Sequence, residues 1–239
     1  MERQPLYRGK AKSLYAGEDP GLLIAEFRDD LSAFDGQKKA QASGKGAIAC
    51  RMTGIIMRYL ENHGISTHFV RALGEREMLV RRLEMIPLEC VWRNLAAGSL
   101  CKRLGVPQGM ALKRPIFEFF LKDDHLHDPM VNASHILAFG WAKEEEMQAM
   151  EEATARVNEV LYPLFLRAGM ILVDFKLEFG RGEGGRLFLA DEISPDGARL
   201  WDVLTKSPLD KDRFRQDLGG VEEAYAQVLL RLEKALSAS

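Results

Sequence analysis

Apolar residues recur at helical spacing in three stretches of the chain. Ile48, Met52, Ile55 and Tyr59 step by 4, 3 and 4, which predicts a helix over about 47–63 with Gly64 as its stop. Met147, Met150, Thr154, Val157, Leu161 and Leu164 step by 3 or 4 and predict a long helix over about 144–168, closed by Gly169. Val221, Tyr225, Val228 and Leu232 form one stripe of a final helix over about 221–236. The methionines and aromatics of these stripes read as core. Elsewhere the pattern is that of strands: 6–15 with a central Gly9, 22–27 after a Glu-Asp-Pro-Gly turn at 18–21, 67–71, 77–83 and 88–93. A polar, glycine-bearing loop is expected over 35–46, and a short helix from Ser99. Strands crowd the first 85 residues and do not alternate regularly with helices, so the expected class is α+β, with a boundary between 84 and 85.

The stretch 170–194 carries the strongest signal. Ile171, Val173, Phe175, Leu177 and Phe179 alternate with Asp174, Lys176 and Glu178, the mark of a strand with one face in the core. The glycines at 180–185 can turn the chain into a return strand over 186–193. A two-residue Gly184-Gly185 turn sets Glu183 against Arg186 and Glu178 against Asp191, with Cβ atoms roughly 5 Å apart on the charged face. A slip of one residue sends the two carboxylates to opposite faces. Close carboxylates repel unless a cation lies between them. Lys176 can supply it as a plain cross-strand ion pair; Mg²⁺, which takes one or two carboxylates plus water and phosphate oxygens, can also do so.

Several basic positions suit anions. In Arg8-Gly9-Lys10-Ala11-Lys12 the glycine permits close backbone approach, and Lys10 and Lys12 share a face at period 2. The same spacing also fits two solvated lysines on an edge strand, and no Walker A string is present. Ser43-Gly44-Lys45-Gly46, before the first predicted helix, is a second possible phosphate loop or a simple turn. Arg93 ends a predicted strand and Ser99 begins a helix, a fork and a set of donors for phosphate. Arg199 follows the carboxylate hairpin closely enough to reach the same cleft. Lys211 and Arg215 lie in a charge-rich stretch that reads equally as solvated surface. His125-x-His127 lacks the further ligands of a zinc site, and Lys122 and Asp128 read as polar contacts in a cleft.

Composition narrows the classes. A formal charge of −2 with both signs abundant leaves no global basic field for nucleic acid. Three cysteines without a C-x-x-C pair argue against zinc and a disulfide framework and fit a reducing compartment. The first residues lack the apolar core of a secretory leader, and no apolar run nears the roughly 20 residues of a membrane span. A cytoplasmic location is expected.

The strings Leu-Tyr-Arg-Gly-Lys-Ala-Lys (6–12), Glu-Cys-Val-Trp-Arg-Asn-Leu-Ala-Ala-Gly-Ser (89–99), His-Asp-Pro-Met-Val-Asn (127–132), Val-Asp-Phe-Lys-Leu-Glu-Phe-Gly (173–180), Asp-Glu-Ile-Ser-Pro-Asp-Gly-Ala-Arg-Leu-Trp-Asp (191–202) and Asp-Lys-Asp-Arg-Phe-Arg-Gln (210–216) together resemble the SAICAR synthetase family, in its order and over nearly the whole chain. Gly44-Lys-Gly-Ala-Ile-Ala-Cys50 departs from the expected pattern, which has a polar residue near Cys50. The resemblance implies a two-lobed α+β fold related to protein kinases and ATP-grasp enzymes, with antiparallel sheets and ATP in the interlobe cleft. Residues 1–84 would form the antiparallel β lobe with one helix and the phosphate-binding hairpin, and 85–239 the lobe with the metal and ribonucleotide sites.

The reaction implied is ATP + CAIR + L-aspartate → ADP + phosphate + SAICAR, CAIR being a carboxylated aminoimidazole ribonucleotide. By the same resemblance Gly9, Lys10, Ala11, Lys12, Ser13, Arg81, Met85, Lys122 and Asp128 would contact ATP, and Glu178 and Asp191 would hold Mg²⁺. Asp35, Arg93, Ser99, Asp174, Lys176, Arg199, Lys211 and Arg215 would hold substrate, and Lys10, Lys12, Lys122, Lys176 and Arg199 would act in catalysis. Family members are often homo-oligomers, which sets the expectation here. Two other classes stay open: a small-molecule kinase with the same ATP site, and a nucleotide-binding module without catalysis.

Overall fold

A computed structural model of the chain describes residues 3–34 and 36–237. The first strand region is two strands. β1 (Tyr7–Arg8) pairs antiparallel with β2 (Lys12–Ala16), Tyr7 opposite Leu14, so Gly9-Lys10-Ala11 is the connection between them. Lys10 and Lys12 therefore do not share a strand face as period 2 predicts. Arg28 ties the turn down: its guanidinium donates to the Gly9 carbonyl and to Ser13 Oγ, each at 2.6 Å, and its N–H to the Ala11 carbonyl. Those bonds satisfy carbonyls that a tight turn leaves unpaired.

β3 (Leu22–Phe27) returns alongside β2 after the turn at 18–21, as expected. The expected loop over 35–46 instead contains half of a small hairpin, β4 (Asp30–Ala33) with β5 (Lys38–Gln41). Asp35 lies outside the described residues. α1 (Lys45–Asn62) then begins two residues early and ends where Gly64 adopts a φ of 81°. Of its predicted stripe only Met52 is fully buried; Ala49, Cys50, Thr53, Ile56, Met57 and Leu60 share that burial. The helix packs on three strands of the first sheet and on the C-terminal helix, so small residues fill a broad face that a single-stripe spacing rule does not see.

β6 (Phe69–Ala72) and β7 (Glu77–Arg81) complete a five-stranded sheet in the order β1-β2-β3-β7-β6. The second sheet is built on β8 (Glu84–Leu95), longer than predicted, and runs β10-β9-β8-β11-β12, with β13 also pairing to β11. Between its strands lie α2 (Ser99–Leu104), β9 (Ala111–Leu121), β10 (Met130–Val131), α3 (Ala133–Phe139) and α4 (Glu144–Arg167). β11 (Met170–Arg181), β12 (Leu187–Ala190), β13 (Ala198–Asp202), α5 (Asp212–Arg215) and α6 (Val221–Ser237) follow.

α4 behaves as its sequence dictates. Met147, Met150, Thr154, Val157, Leu161 and Leu164 are all buried, and its first turn carries Glu144, Glu145 and Glu146 against the helix dipole. Val221, Tyr225, Val228 and Leu232 of α6 are buried likewise. One apolar cluster joins Ala25, Phe27, Met78 and Val80 of the first sheet to Leu88, Cys90, Leu172 and Phe175 of the second. The sheets also meet through main chain: His68 donates its N–H to the Leu189 carbonyl and accepts at its own carbonyl from Arg81 N–H, beside a Thr67–Leu189 bridge. Among the described residues no helix is long and apolar enough to cross a membrane.

Candidate active site

The carboxylate hairpin does not have the predicted register. Its connection runs over 182–186, and Glu178 pairs with Ala190, one residue short of Asp191. That slip ought to part the two acids. It does not, because Asp191 lies just past β12 with a left-handed φ of 61°, which breaks the alternation and swings its side chain back. Lys176 Nζ lies 2.6 Å from Glu178 Oε1 and 3.6 Å from Asp191 Oδ2. Lys12 ion-pairs with Asp191 and Lys122 with Glu178, while Glu89 and Glu192 add carboxylates to Lys176 and Lys12.

The charged face of β11 is thus an inner wall. Asp174 and Glu178 are 3% and 2% exposed, as hidden as the apolar face behind them. Burial pulls the Lys12 and Lys176 ammonium groups down, but the surrounding carboxylates outweigh it and hold both above the ordinary lysine range. Burial pushes Asp191 up, and the charges of Lys12, Lys176 and Lys122 more than offset it, so its carboxyl stays ionised far into acid.

Further along the wall Arg93 reaches Glu118 at 2.6 Å, Asp174 at 2.9 Å and Ser99 Oγ at 3.1 Å. Arg199 spans Asp174 and Asp212, each at 2.8 Å, and Arg215 holds the other Asp212 oxygen at 2.6 Å. Three guanidinium groups are therefore fixed in orientation by carboxylates behind them. Gly98, with a φ of 57°, lets Arg199 lie where a Cβ would stand. Lys211 is pulled below the usual lysine value, chiefly by burial.

These groups share one cleft of about 1230 Å³. Gly9, Lys10, Ala11, Lys12, Arg81, Met85, Lys122, Asp128, Glu178 and Asp191 all line it. Arg93, Ser99, Asp174, Lys176, Arg199, Lys211 and Arg215 line it too, so the charge-rich stretch at 210–216 is not solvated surface. Lys10 pairs with Asp124 at 2.7 Å at the cleft's rim, and Asp128 accepts the Asp123 N–H at 2.9 Å. Ser13 departs from the expectation. It is not a lining residue but lies buried behind the turn, accepting from Arg28.

Lys45 is also redirected. It is buried, ion-paired to Asp196 and bonded to the Asp30 carbonyl at 2.9 Å, while Asp29 takes the Gly46 N–H at 2.8 Å. Its side chain and the helix start are already occupied, so this is not a phosphate loop. Glu89, Glu192, Asp196 and Asp212 lie within the motif strings without a role assigned there, and Glu118 lies outside them; they act through Lys176, Lys12, Lys45, Arg199 and Arg93 respectively. His68 also lies outside the strings. Its ring bonds to the Asp191 main chain, and burial, then the charge of Lys12, lowers its pKa to about 4. Among the described residues no group of three or more His, Cys, Asp or Glu side chains is set to hold a metal unaided.

Comparison with known proteins bears directly on this geometry. A family model for SAICAR synthetase matches residues 5–232. The phosphoribosylaminoimidazole-succinocarboxamide synthase of Acidithiobacillus ferrooxidans is 58% identical over 238 residues, covering 100% of this chain and 99% of that protein. The chain belongs to the SAICAR synthetase family. The crystal structure of the Ehrlichia chaffeensis synthase superposes with a TM-score of 0.94 at 44% identity, covering 96% of this chain and 98% of the other. A SAICAR synthetase (Type-2) solved in complex with ADP gives a TM-score of 0.92 at 48% identity, with 95% and 96% covered. Membership makes the chain an ATP-dependent carbon–nitrogen ligase of purine biosynthesis, and the kinase alternative is not favoured.

Proposed function

We propose that this cleft joins the CAIR carboxylate to the amine of L-aspartate at the expense of ATP, with the residues above in definite roles. The observation that carries the assignment is the convergence on one cleft of the Lys10–Lys12 turn, the Glu178–Asp191 pair and the Arg93–Asp174–Arg199 cluster. ATP lies along the turn, its base toward Arg81 and Met85 and its phosphates toward Lys10, Lys12 and Lys122. The ribonucleotide phosphate of CAIR takes the forks of Arg93, Arg199 and Arg215 with Ser99, and Lys176 and Lys211 face its carboxylate end.

The residues present fit Mg²⁺. Two carboxylates from separate elements face a common space, and a hard cation completes its shell with water and phosphate oxygens. Glu178 and Asp191 would hold it, and when bound it would neutralise the charge that builds on the β- and γ-phosphates. The chain's own part is electrostatic and positional. A carboxylate is a poor acyl donor and is repelled by a triphosphate. Lys12, Lys122 and Lys176 offset that repulsion, and the fixed arginines hold the ribonucleotide in line. The CAIR carboxylate oxygen attacks the γ-phosphorus and ADP leaves. The amine of aspartate then attacks the acyl carbon, loses a proton and expels phosphate. No protein nucleophile is required.

On this reading the enzyme works on small molecules in the cytoplasm, without nucleic acid or membrane, and as a homo-oligomer. The test of the mechanism is positional ¹⁸O transfer from labelled CAIR carboxylate. Label in the released phosphate is expected; unlabelled phosphate rejects the acyl phosphate. ADP formation that needs no aspartate, with the γ-phosphoryl group kept on a stable product and no amide formed, would restore the kinase alternative.

A further inference from the structure

Among the described residues two buried side-chain polar atoms lack a hydrogen-bond partner, His68 Nε2 and Asp196 Oδ2. The Asp196 carboxylate has Lys45 against it in an ion pair. His68 Nε2 has no such explanation. The residue is 8% exposed, lines the cleft, and is fixed at both main-chain ends, to Leu189 of one sheet edge and Arg81 of the other.

Its surroundings define what would satisfy it. Ala25 pairs with Met78 and Leu23 with Val80 on neighbouring strands, and all four line the cleft. Val80 immediately precedes Arg81, whose N–H bonds His68. This part of the cleft is apolar and suits a flat heteroaromatic ring, with His68 as a polar atom at its inner end. The ring is bonded to the Asp191 main chain through a nitrogen other than Nε2. The Asp191 main-chain bond favours the protonated ring nitrogen, so that nitrogen donates to the Asp191 carbonyl and, in the neutral ring, Nε2 is the acceptor. A buried acceptor left unmet is unfavourable, and a ligand bringing an N–H donor relieves it.

We propose that His68 Nε2 accepts a hydrogen bond from the exocyclic 6-amino group of the nucleotide base and thereby selects adenine over 6-oxopurines. The inference rests on the reading that the nucleotide base sits beside Arg81 and Met85. A 6-oxo group would point an acceptor at an acceptor. A purine without a 6-substituent would merely leave Nε2 unmet. The order of preference follows: ATP, then purine ribonucleoside triphosphate, then ITP.

The experiment compares kcat/KM for these three nucleotides in the intact enzyme and in His68→Leu and His68→Gln, with circular dichroism to establish folding. The wild type should follow the stated order. In His68→Leu no acceptor remains, so the ATP:ITP ratio should contract by about tenfold or more and ATP should fall toward parity with the unsubstituted purine. In His68→Gln the amide can turn to donate to a 6-oxo group, so the ATP:ITP ratio should contract here too, which keeps the test alive if the leucine variant misfolds. A wild-type ratio in either folded variant overturns the proposal. Lys12→Met separates this from failure of the underlying reading. If that variant binds a fluorescent ATP analogue as tightly as wild type, the cleft is not the nucleotide site. If it loses binding while the His68 variants keep the wild-type ratio, only the role of His68 falls.

Discussion

Lys176 Nζ lies 2.6 Å from Glu178 Oε1, two positions along the same strand, and the same ammonium reaches Asp191 at 3.6 Å from beyond the hairpin. Lys12, Lys122 and Lys176 neutralise the two acids. On the proposed function, entering phosphates would give the lysines new anions and leave the acids free to take a cation. Glu178→Gln and Asp191→Asn should each lower kcat/KM by about 100-fold, the scale of removing one preorganised charge from a reacting site. Calorimetric titration with ADP should show Mg²⁺-dependent binding in the wild type and little such dependence in either variant. Retained dependence in both would remove the metal role.

Lys12 and Lys10 should not be equivalent. The Lys12 side chain is 18% exposed among carboxylates, whereas that of Lys10 is 44% exposed at the rim. Solvent screens the second charge far more than the first. Lys12→Met should weaken ATP binding by about 100-fold and Lys10→Met by about tenfold or less. Equal losses, read from KM and from direct binding, would contradict the difference in burial.

Gly98 sits under the Arg199 guanidinium with a φ of 57° and ψ of −126°. An added methyl group meets both backbone strain and the arginine. Gly98→Ala should destabilise the fold by about 1–3 kcal/mol and raise the KM for CAIR well above that for ATP, because Arg199 must move. Urea unfolding and steady-state kinetics measure the two effects. A rise in the ATP constant alone would mean that Arg199 does not face the ribonucleotide.

Asp210 provides a pH handle away from the cleft lining. It is fully buried and accepts the N–H groups of Leu200 and Asp212. Burial, with Asp212 adding to it, raises its pKa to about 7. The folded protein then holds a proton that the unfolded chain releases near its ordinary carboxyl pKa of about 4. Stability contributed by this group is present below that value and is lost as pH rises through about 7, at a slope of at most about 1.4 kcal/mol per unit. Asp210→Asn, which cannot titrate and whose single amide oxygen can keep one of the two N–H groups, should flatten the slope. Identical slopes in urea unfolding across about pH 5 to 8 would show that Asp210 does not carry it.

The sequence displays α4 and α6 plainly because each buries a single stripe, and the residues that make the stripe are large and apolar. α1 is less legible: packed on several sides, it hides Ala49, Cys50 and Thr53, which no hydrophobic spacing rule weights heavily. β9 is obscured by Lys113, Arg114 and Pro115 at its start, although its end, Phe117 to Leu121, packs on β8. The one-residue error in the hairpin arises where Gly184 and Gly185 both take positive φ, a loop wider than a two-residue turn. The candidate site was legible where charges repeat along one strand, as at 174, 176 and 178. It was not legible at Glu118 or His68, whose partners Arg93, Leu189 and Asp191 lie 25 to 123 residues away in the chain.

The backbone at position 191 leaves little freedom for substitution. A left-handed φ favours Gly, Asn and Asp, and of these only Asp carries a negative charge. Asn and Gly would preserve the bend and forfeit the anion, while Glu would keep an anion on a residue ill suited to that conformation. Backbone shape and electrostatics thus converge independently on a single amino acid, and sequence drift at this point has no neutral route.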